Sequence, residues 1–374
     1  MANGRFTLTL MMGPTIAVPV PQPVTDALTS VQVTTTAGQA SGFQLTFAVS
    51  KDSVINRALL PAGFFDPKVR VIIVVVLNGT PTVLMDGVIT RQELSASDDP
   101  GASTLTITGE DLTLVMDLVD EYACYPAMSS DDQVRVICLK YAVYGIIPAA
   151  VPPLLREIES PNEKIRVQSS TDLAHIRALA AQAGYVFYID PGPAPGANIA
   201  YWGPEIRIGI PQPALSINMD ATTNVESLSF SFDGRARTQM TVSVTEPVTK
   251  RSIPVPIPDI GLLRPPLAAR PAIALRQEPV PDTAKLTGIG AALVGLAMTA
   301  QASDAINGQG RLDVLRYGHI LQARRLVSVR GAGLAYDGLY FVKSVTHDIK
   351  RGEYKQSFAL ARDGLVSQTT VVSP

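Results

Sequence analysis

Two cysteines, three histidines and one tryptophan are all that the 374 residues contain of these types. That scarcity excludes a disulfide-stapled scaffold and leaves almost nothing from which to build a Cys/His metal centre. Cys124 and Cys138 lie in the apolar runs VDEYACYP and VICLKYAV, so both are expected as buried free thiols. Charge is scarce as well: 17% of residues are charged, against about a quarter in an ordinary soluble domain. The 31 basic and 33 acidic residues nearly cancel, and no block of like charge occurs. Binding that relies on neutralising phosphates is therefore not expected. Low charge beside 46% apolar residues suits a chain that gives much of its surface to partners. No signal peptide is read at Met1–Gly13, which has Arg5 but neither a continuous apolar core nor a small-residue cleavage site.

Long apolar runs are lacking too, with one exception. Leu286–Ala302 is about 17 residues, the short limit for a membrane span. It reads better as a helix buried against protein, with Ile289, Leu293, Leu296 and Ala300 as its seam.

What the sequence does have is strand alternation. Arg5–Leu10, Leu28–Thr35, Gly42–Val49 and Ser103–Thr108 alternate apolar and polar residues, and Pro14 to Pro23 reads as an extended arm. Val69–Leu77 is almost continuously β-branched, and Asn78–Gly79 then turns the chain into Thr82–Thr90, a strong hairpin signal. After Gly109 the period changes. Asp111 is positioned to cap a helix with Leu112, Val115, Met116 and Val119 on its apolar face. A second helix is expected from Ser130, burying Val134, Ile137, Cys138 and Tyr141, and a third is capped between Ser169 and Thr171 and stopped by Gly184. Tyr185–Ile189, Val225–Phe232 and Met240–Val244 read as strands, and Pro247 to Pro281 as a proline-rich arm.

Catalytic constellations are hard to assemble. No G-x-S-x-G elbow occurs. Gly288-Ile289-Gly290 starts like a dinucleotide loop, but Leu293 fills its sixth position and no strand precedes it. Glu110 and Asp120 are an imaginable carboxylate pair for glycoside hydrolysis, yet both sit where a helix needs capping and solubility. His175, His319 and His347 are isolated and read as structural. Arg311, Arg316, Arg324, Arg325 and Arg330 lack interleaved aromatics, so salt bridges between subunits and bonds to backbone carbonyls explain them better than a nucleic-acid stripe. No catalytic, cofactor-binding or metal residue is assigned, and no cofactor is expected.

The strongest local pattern closes the chain. With Arg351–Gly352 as a two-residue turn, Lys350 pairs with Glu353, Ile349 with Tyr354, Val345 with Phe358 and Lys343 with Leu360. Asp348 then meets Lys355, Thr346 meets Ser357, and His347 faces Gln356. The run Arg324–Gly364, with Tyr340, Val342, Val345, His347, Ile349, Gly352, Tyr354, Phe358, Leu360, Arg362 and Gly364 in register, resembles the C-terminal signature of the phage late control D family. Those are baseplate hub proteins of contractile tails, akin to the T4-type tail hub and to the N-terminal part of VgrG spike proteins. Val167–Asp190 resembles the same family's strand, polar turn, short helix and strand.

The resemblance implies a mainly β fold with an α+β middle region. It implies two tail-tube-like antiparallel β-barrel domains, residues 1–110 and residues 214–246 with 305–374. Residues 111–213 would form a mixed α/β peripheral domain, and 247–304 a proline-rich arm and buried helix inserted in the second barrel domain. The implied role is structural and non-enzymatic: a homotrimeric hub joining a hexameric inner tube or tube initiator above to a separate spike protein below. Wedge and sheath-side proteins would sit around it, and a target membrane would be met only through the assembled particle. Assembly would take place in the bacterial cytoplasm, in a virion baseplate or an injection particle. No OB-like domain or β-helical needle of the kind that follows the hub in VgrG-like proteins is read in these residues, so a separate spike protein is expected. The rival readings are a peptidoglycan-degrading tail enzyme, and a glycan- or receptor-binding β protein, which 6% aromatic residues disfavour.

Overall fold

The computed structural model describes residues 2–3, 6–97, 103–153, 166–245, 252–256, 264–280, 294–296, 298–299 and 304–368. The expected strands form. β1 (Phe6–Gly13), β2 (Leu28–Thr36) and β3 (Gly42–Ala48) are followed by β4 (Arg70–Leu77), which is buried nearly throughout. Asn78 and Gly79 take φ of 50° and 82° and turn the chain into β5 (Thr80–Ser95), after which comes β6 (Thr104–Asp111). Positive φ at both positions is what an Asn-Gly pair tolerates.

A mixed unit follows: β7 (Asp120–Tyr125), α1 (Ser130–Leu139), β8 (Ile146–Ala150), β9 (Arg166–Thr171), α2 (Asp172–Ala183), β10 (Val186–Pro191) and β11 (Asn198–Gly203). Both helices start on the residue types that start helices. Ser129 Oγ accepts from the Asp132 N–H before α1, and Thr171 Oγ1 accepts from the Ala174 N–H before α2. Gly184, at φ 68°, ends α2. The chain returns through β12 (Gln212–Ser216), β13 (Val225–Phe232), β14 (Ile306–Asp313), β15 (Leu326–Arg330), β16 (Gly338–Lys350) and β17 (Glu353–Arg362).

Two local expectations fail for identifiable reasons. The helix expected after Asp111 is only a 3-10 turn, Leu114–Met116. Asp111 accepts from the Ser41 and Thr113 backbone N–H groups at 2.7 and 2.9 Å, so its carboxylate ties β6 to the β2–β3 connection and caps no helix. Within the arm from Pro14 to Pro23 the chain enters a short helix, Gln22–Ala27, with Pro23 in its first turn. There a missing N–H leaves nothing unsatisfied.

The larger correction concerns the two barrels. Among the described residues no sheet closes on itself. A 14-stranded sheet runs as an open path, Ala2–Asn3 then β1, β4, β5, β6, β3, β2, β16, β17, β14 and β13, with Val18–Pro19 branching from β1, β15 from β16 and β12 from β15. Closing the first strand-rich region would need β2 to return to β1. Instead β2 gives one edge to β3 and the other to β16, from Ser30 opposite Lys350 to Thr36 opposite Ser344. Once both edges are hydrogen-bonded, no donors or acceptors remain for closure. The two regions, far apart in sequence, are one sheet.

One apolar core lies against this sheet, from Phe6, Leu45 and Ile73 through Val345, Tyr354 and Leu360. The mixed unit has its own core around Trp202, Ile176 and Ile137, which also takes in Val88 from β5. Met240 and Val280 pack with Val294, Leu296 and Met298 in a small third cluster. Most of the Leu286–Ala302 run, including Ile289, Leu293 and the Gly288–Gly290 pair, lies outside the described residues. No helix among the described residues is long and apolar enough to cross a membrane.

Candidate functional site

The β16–β17 hairpin sets the chemistry of the sheet's two faces. Its register is the expected one from Lys350 opposite Glu353 up to Val345 opposite Phe358. Above that point a bulge intervenes: Ser344 faces Ala359 and Val342 faces Leu360, so Lys343 has no direct partner. Lys343 is exposed, and the extra residue keeps its ammonium out of the core while Val342 remains buried.

On the core side His347 is buried beside Tyr354 and Gln356. Gln356 is fixed by the Leu321 backbone, accepting from its N–H at 3.0 Å and donating to its C=O at 2.8 Å. The same amide group and the Tyr354 hydroxyl both present protons to His347 Nδ1, at 3.2 and 2.7 Å, so Nδ1 is the unprotonated ring nitrogen. Burial pulls the imidazole down to about 3 and pushes the Tyr354 hydroxyl well up. As pH falls below the ordinary histidine value of about 6.5, the unfolded chain takes up a proton that the folded chain refuses until about 3. Stability from this residue is therefore complete above pH 6.5 and is lost as pH drops toward 3, by at most about 1.4 kcal/mol per pH unit. His347→Gln is expected to flatten the stability–pH curve across that window in urea titrations. An unchanged slope would contradict this account of the core.

The opposite face is a carpet of hydroxyls and amides. From β6 to β17, one row reads Thr108, Gln44, Gln32, Asp348 and Lys355, and the next reads Thr34, Thr346 and Ser357. Gln32 Nε2 donates to Asp348 Oδ1 at 3.0 Å, and the Thr34 and Thr346 hydroxyls meet at 3.0 Å. Gln309, Asn307, Ser229 and Ser231 continue the carpet across β14 and β13. Its charges are of both signs. Lys355 lies opposite Asp348 in register but makes its ion pairs with Glu226 at 2.8 Å and Glu353 at 3.3 Å. Such a face has neither a cationic stripe for phosphates nor aromatic rings for stacking.

Glycines thin the core side of β14. A Cβ on Gly310 would fall 2.5 Å from Cζ of Phe358, and one on Gly308 would fall 2.8 Å from a Phe230 ring carbon. The rings occupy the space that a side chain at either position would need.

Both ends of the carpet are open strand edges. The β5 segment Thr90–Ser95 pairs with β6 on one side, and no described strand bonds its other side. Among the described strands β13 pairs only with β14. At each edge the core layer ends on a half-exposed apolar side chain, Leu94 at 49% on β5 and Phe232 at 45% on β13. Neither edge carries a lysine or proline to deter pairing.

The mixed unit is fixed to the sheet by a buried lock. Arg70 on β4 makes a two-pronged pair with Asp86 on β5, Nε to Oδ1 at 2.8 Å and Nη2 to Oδ2 at 2.7 Å, with both side chains 5% exposed or less. Arg70 also donates to the Tyr144 and Thr15 carbonyls, and Asn198 Nδ2 on β11 donates to Asp86 and Tyr144. No sequence pattern singled out this triad.

The other residues weighed from the sequence do not converge on a site. His175 meets Gln133 Oε1 at 3.1 Å and stacks on Tyr125, while His319 lies edge-on to Tyr317. Glu110 lies in the long sheet and Asp120 in the two-stranded β7–β9 ribbon, so the sheets do not join them as neighbours. Cys138 is buried, its thiol pushed up to about 12, whereas Cys124 is exposed because β7 turns it to the outer side of that ribbon. Among the described residues no group of three or more His, Cys, Asp or Glu side chains could hold a metal ion.

No protein-family model matches the chain, and no curated protein matches it either. Solved structures do. A tail protein from Neisseria meningitidis MC58 is similar over 97% of this chain and 98% of its own, at TM-score 0.63 and 14% identity. The 43 kDa tail protein of prophage MuSo2 from Shewanella oneidensis is similar over 95% of this chain and 98% of its own, at TM-score 0.60 and 15% identity. The E. coli c3393 protein, a type VI secretion component with structural similarity to T4 tail proteins gp27 and gp5, is similar over 93% of this chain and 78% of its own, at TM-score 0.52 and 10% identity. At these identities the kinship is one of architecture: the chain has the fold of phage and prophage tail proteins.

Proposed function

We propose that this chain is a structural baseplate hub of a contractile tail or tail-like injection system. Three copies form a collar, with the inner tube or its initiator stacked above, a separate spike below, and wedge or sheath-side proteins against the mixed unit. The observation that carries this reading is the hydroxyl carpet bounded on each side by a strand edge that no described strand bonds. Each edge offers a row of free backbone groups and one uncovered apolar side chain, so β13 of one copy and the Thr90–Ser95 segment of the next satisfy each other. Ser227, Ser229 and Ser231 then extend the hydroxyl carpet across the seam, facing the passage through the collar. A ring closed by copies is the usual resolution of head-to-tail edges. In this reading residues 1–110 and residues 214–246 with 305–374 share the wall of the collar, with 111–213 outside it and 247–304 as an inserted arm.

The role is mechanical, and the proposed work needs no catalytic group. Light scattering on the purified chain tests it: a mass three times that of the chain is expected, together with density for the chain at the tube–spike junction of the particle. A stable monomer with no density on the particle axis contradicts the reading. Clearing of cell-wall substrate in a zymogram by the chain alone would favour the peptidoglycan-degrading rival.

A further inference from the structure

Two of the places where the mixed unit meets the long sheet are opposite in character. One is the dry lock of Arg70, Asp86 and Asn198, continued by Val88, which is fully buried in the core of the mixed unit. The other is centred on Arg324, in the approach to β15. Its guanidinium reaches two separate parts of the chain. It pairs with Asp190 on β10, donates through Nη2 to the Thr36 carbonyl at 3.0 Å and the Ser41 hydroxyl at 3.4 Å, and lies 4.0 Å from the ring centre of Tyr188. Here the joint is open on one side. A small solvent-open cleft lies beside Arg324 between Ala37, Tyr188, Ile206 and Phe341. Asp190 is half exposed, and Arg324 Nε is buried with no hydrogen-bond partner.

The backbone at Arg324 is unusual as well. Its φ is +63°, the left-handed region that an arginine rarely enters, and its N–H donates to the Val342 carbonyl at 2.8 Å. A strained residue persists where its surroundings hold it, and such residues gather at clamps and switch points.

We propose that Arg324 is a releasable latch that sets the angle of the mixed unit against the sheet, with the Arg70–Asp86–Asn198 lock as its pivot. The packed side, with Arg70 and Asp86 buried, keeps its place. The Arg324 side exchanges its contacts for water through the cleft, so releasing the Asp190 pair frees β10 and the β2–β3 turn together. The motion belongs to the single chain, whatever its copy number. A partner that takes Asp190 or Arg324 into its own ion pair thereby turns the mixed unit relative to the collar.

Spin labels on native Cys124, in the mixed unit, and on Lys350→Cys, at the hairpin end, measure that angle in full-length chain diluted with unlabelled chain. Cys138 is buried and stays unlabelled. The chain with Arg324 and Asp190 intact is expected to give one narrow distance. Arg324→Gln or Asp190→Asn is expected to broaden it at least twofold or add a second population. Amide exchange at Ala37–Ser41 and in β10 rises at least tenfold, while exchange in the β16–β17 hairpin stays unchanged. If neither variant alters the distance distribution, the latch is overturned. It is equally overturned if hairpin exchange accelerates in step, since Arg324 then serves the fold as a whole.

Discussion

Asp86→Ala is expected to cost about 3–5 kcal/mol in a urea titration of the full chain, the range for removing one partner of a buried ion pair. The substitution leaves the Arg70 guanidinium, 5% exposed, with no carboxylate, and it takes from Asn198 Nδ2 one of its two acceptors. Water cannot replace what is lost, because both charges are sealed between β4, β5 and β11. A loss of this size is a large share of the 5–15 kcal/mol that typically holds a protein folded. The damage should also be local first: hydrogen exchange in β8, β10 and β11 should accelerate before exchange in β16 and β17. The pair is not for that reason a net gain over an apolar filling. Arg70→Met with Asp86→Leu should recover much of the loss, as replacing both partners of a buried pair often does. A cost under about 1 kcal/mol for Asp86→Ala would mean that the lock does not hold the mixed unit.

Leu94→Asp combined with Phe232→Asp is expected to turn a trimer into monomers with little change in the unfolding midpoint of the chain itself. Each side chain is about half exposed in the single chain, 49% and 45%, so a carboxylate at either position keeps its water there. Inside a seam both carboxylates would be stripped of water beside an apolar neighbour, a penalty of several kcal/mol per ion. Obligate interfaces of this kind bury on the order of 2,000 Å² or more and resemble a core cut in half, which leaves no place for unpaired charge. Association should weaken at least a hundredfold, read as loss of the trimer mass in light scattering. A double variant that remains trimeric would place the seam elsewhere on the chain.

Much of the sheet was legible because alternation, an Asn-Gly turn and the Arg351–Gly352 turn are local signals. A two-residue turn fixes every pair above it, so all six pairs from Lys350–Glu353 to Val345–Phe358 could be written down from spacing alone. The Lys343–Leu360 pairing failed at a bulge, which spacing does not announce. Barrel closure failed for a deeper reason. Which strand takes the second edge of β2 is decided by residues more than three hundred positions away, and period-2 alternation reads the same in a closed sheet and an open one. Likewise Leu112 to Val119 carries a helical apolar period, yet Val119 is 67% exposed because Asp111 binds the β2–β3 connection. The candidate interface was legible in part. The Ser and Thr alternation marked a polar face, but the open edges appear only once every other edge has been assigned. The Arg70–Asp86–Asn198 lock joins residues with no periodic relation, and nothing short of the fold brings them together.

The pairing of β2 with β16 has a consequence for the timing of synthesis. Gln32 and Asp348, bonded across that ladder, are 316 residues apart. At about 5–20 residues per second, the nascent chain waits roughly 15 to 60 s between making the first and the second. Through that interval β2 emerges from the ribosome with one bare edge, the sort of surface on which chains pair wrongly. The last strands to be translated are the ones that cover it.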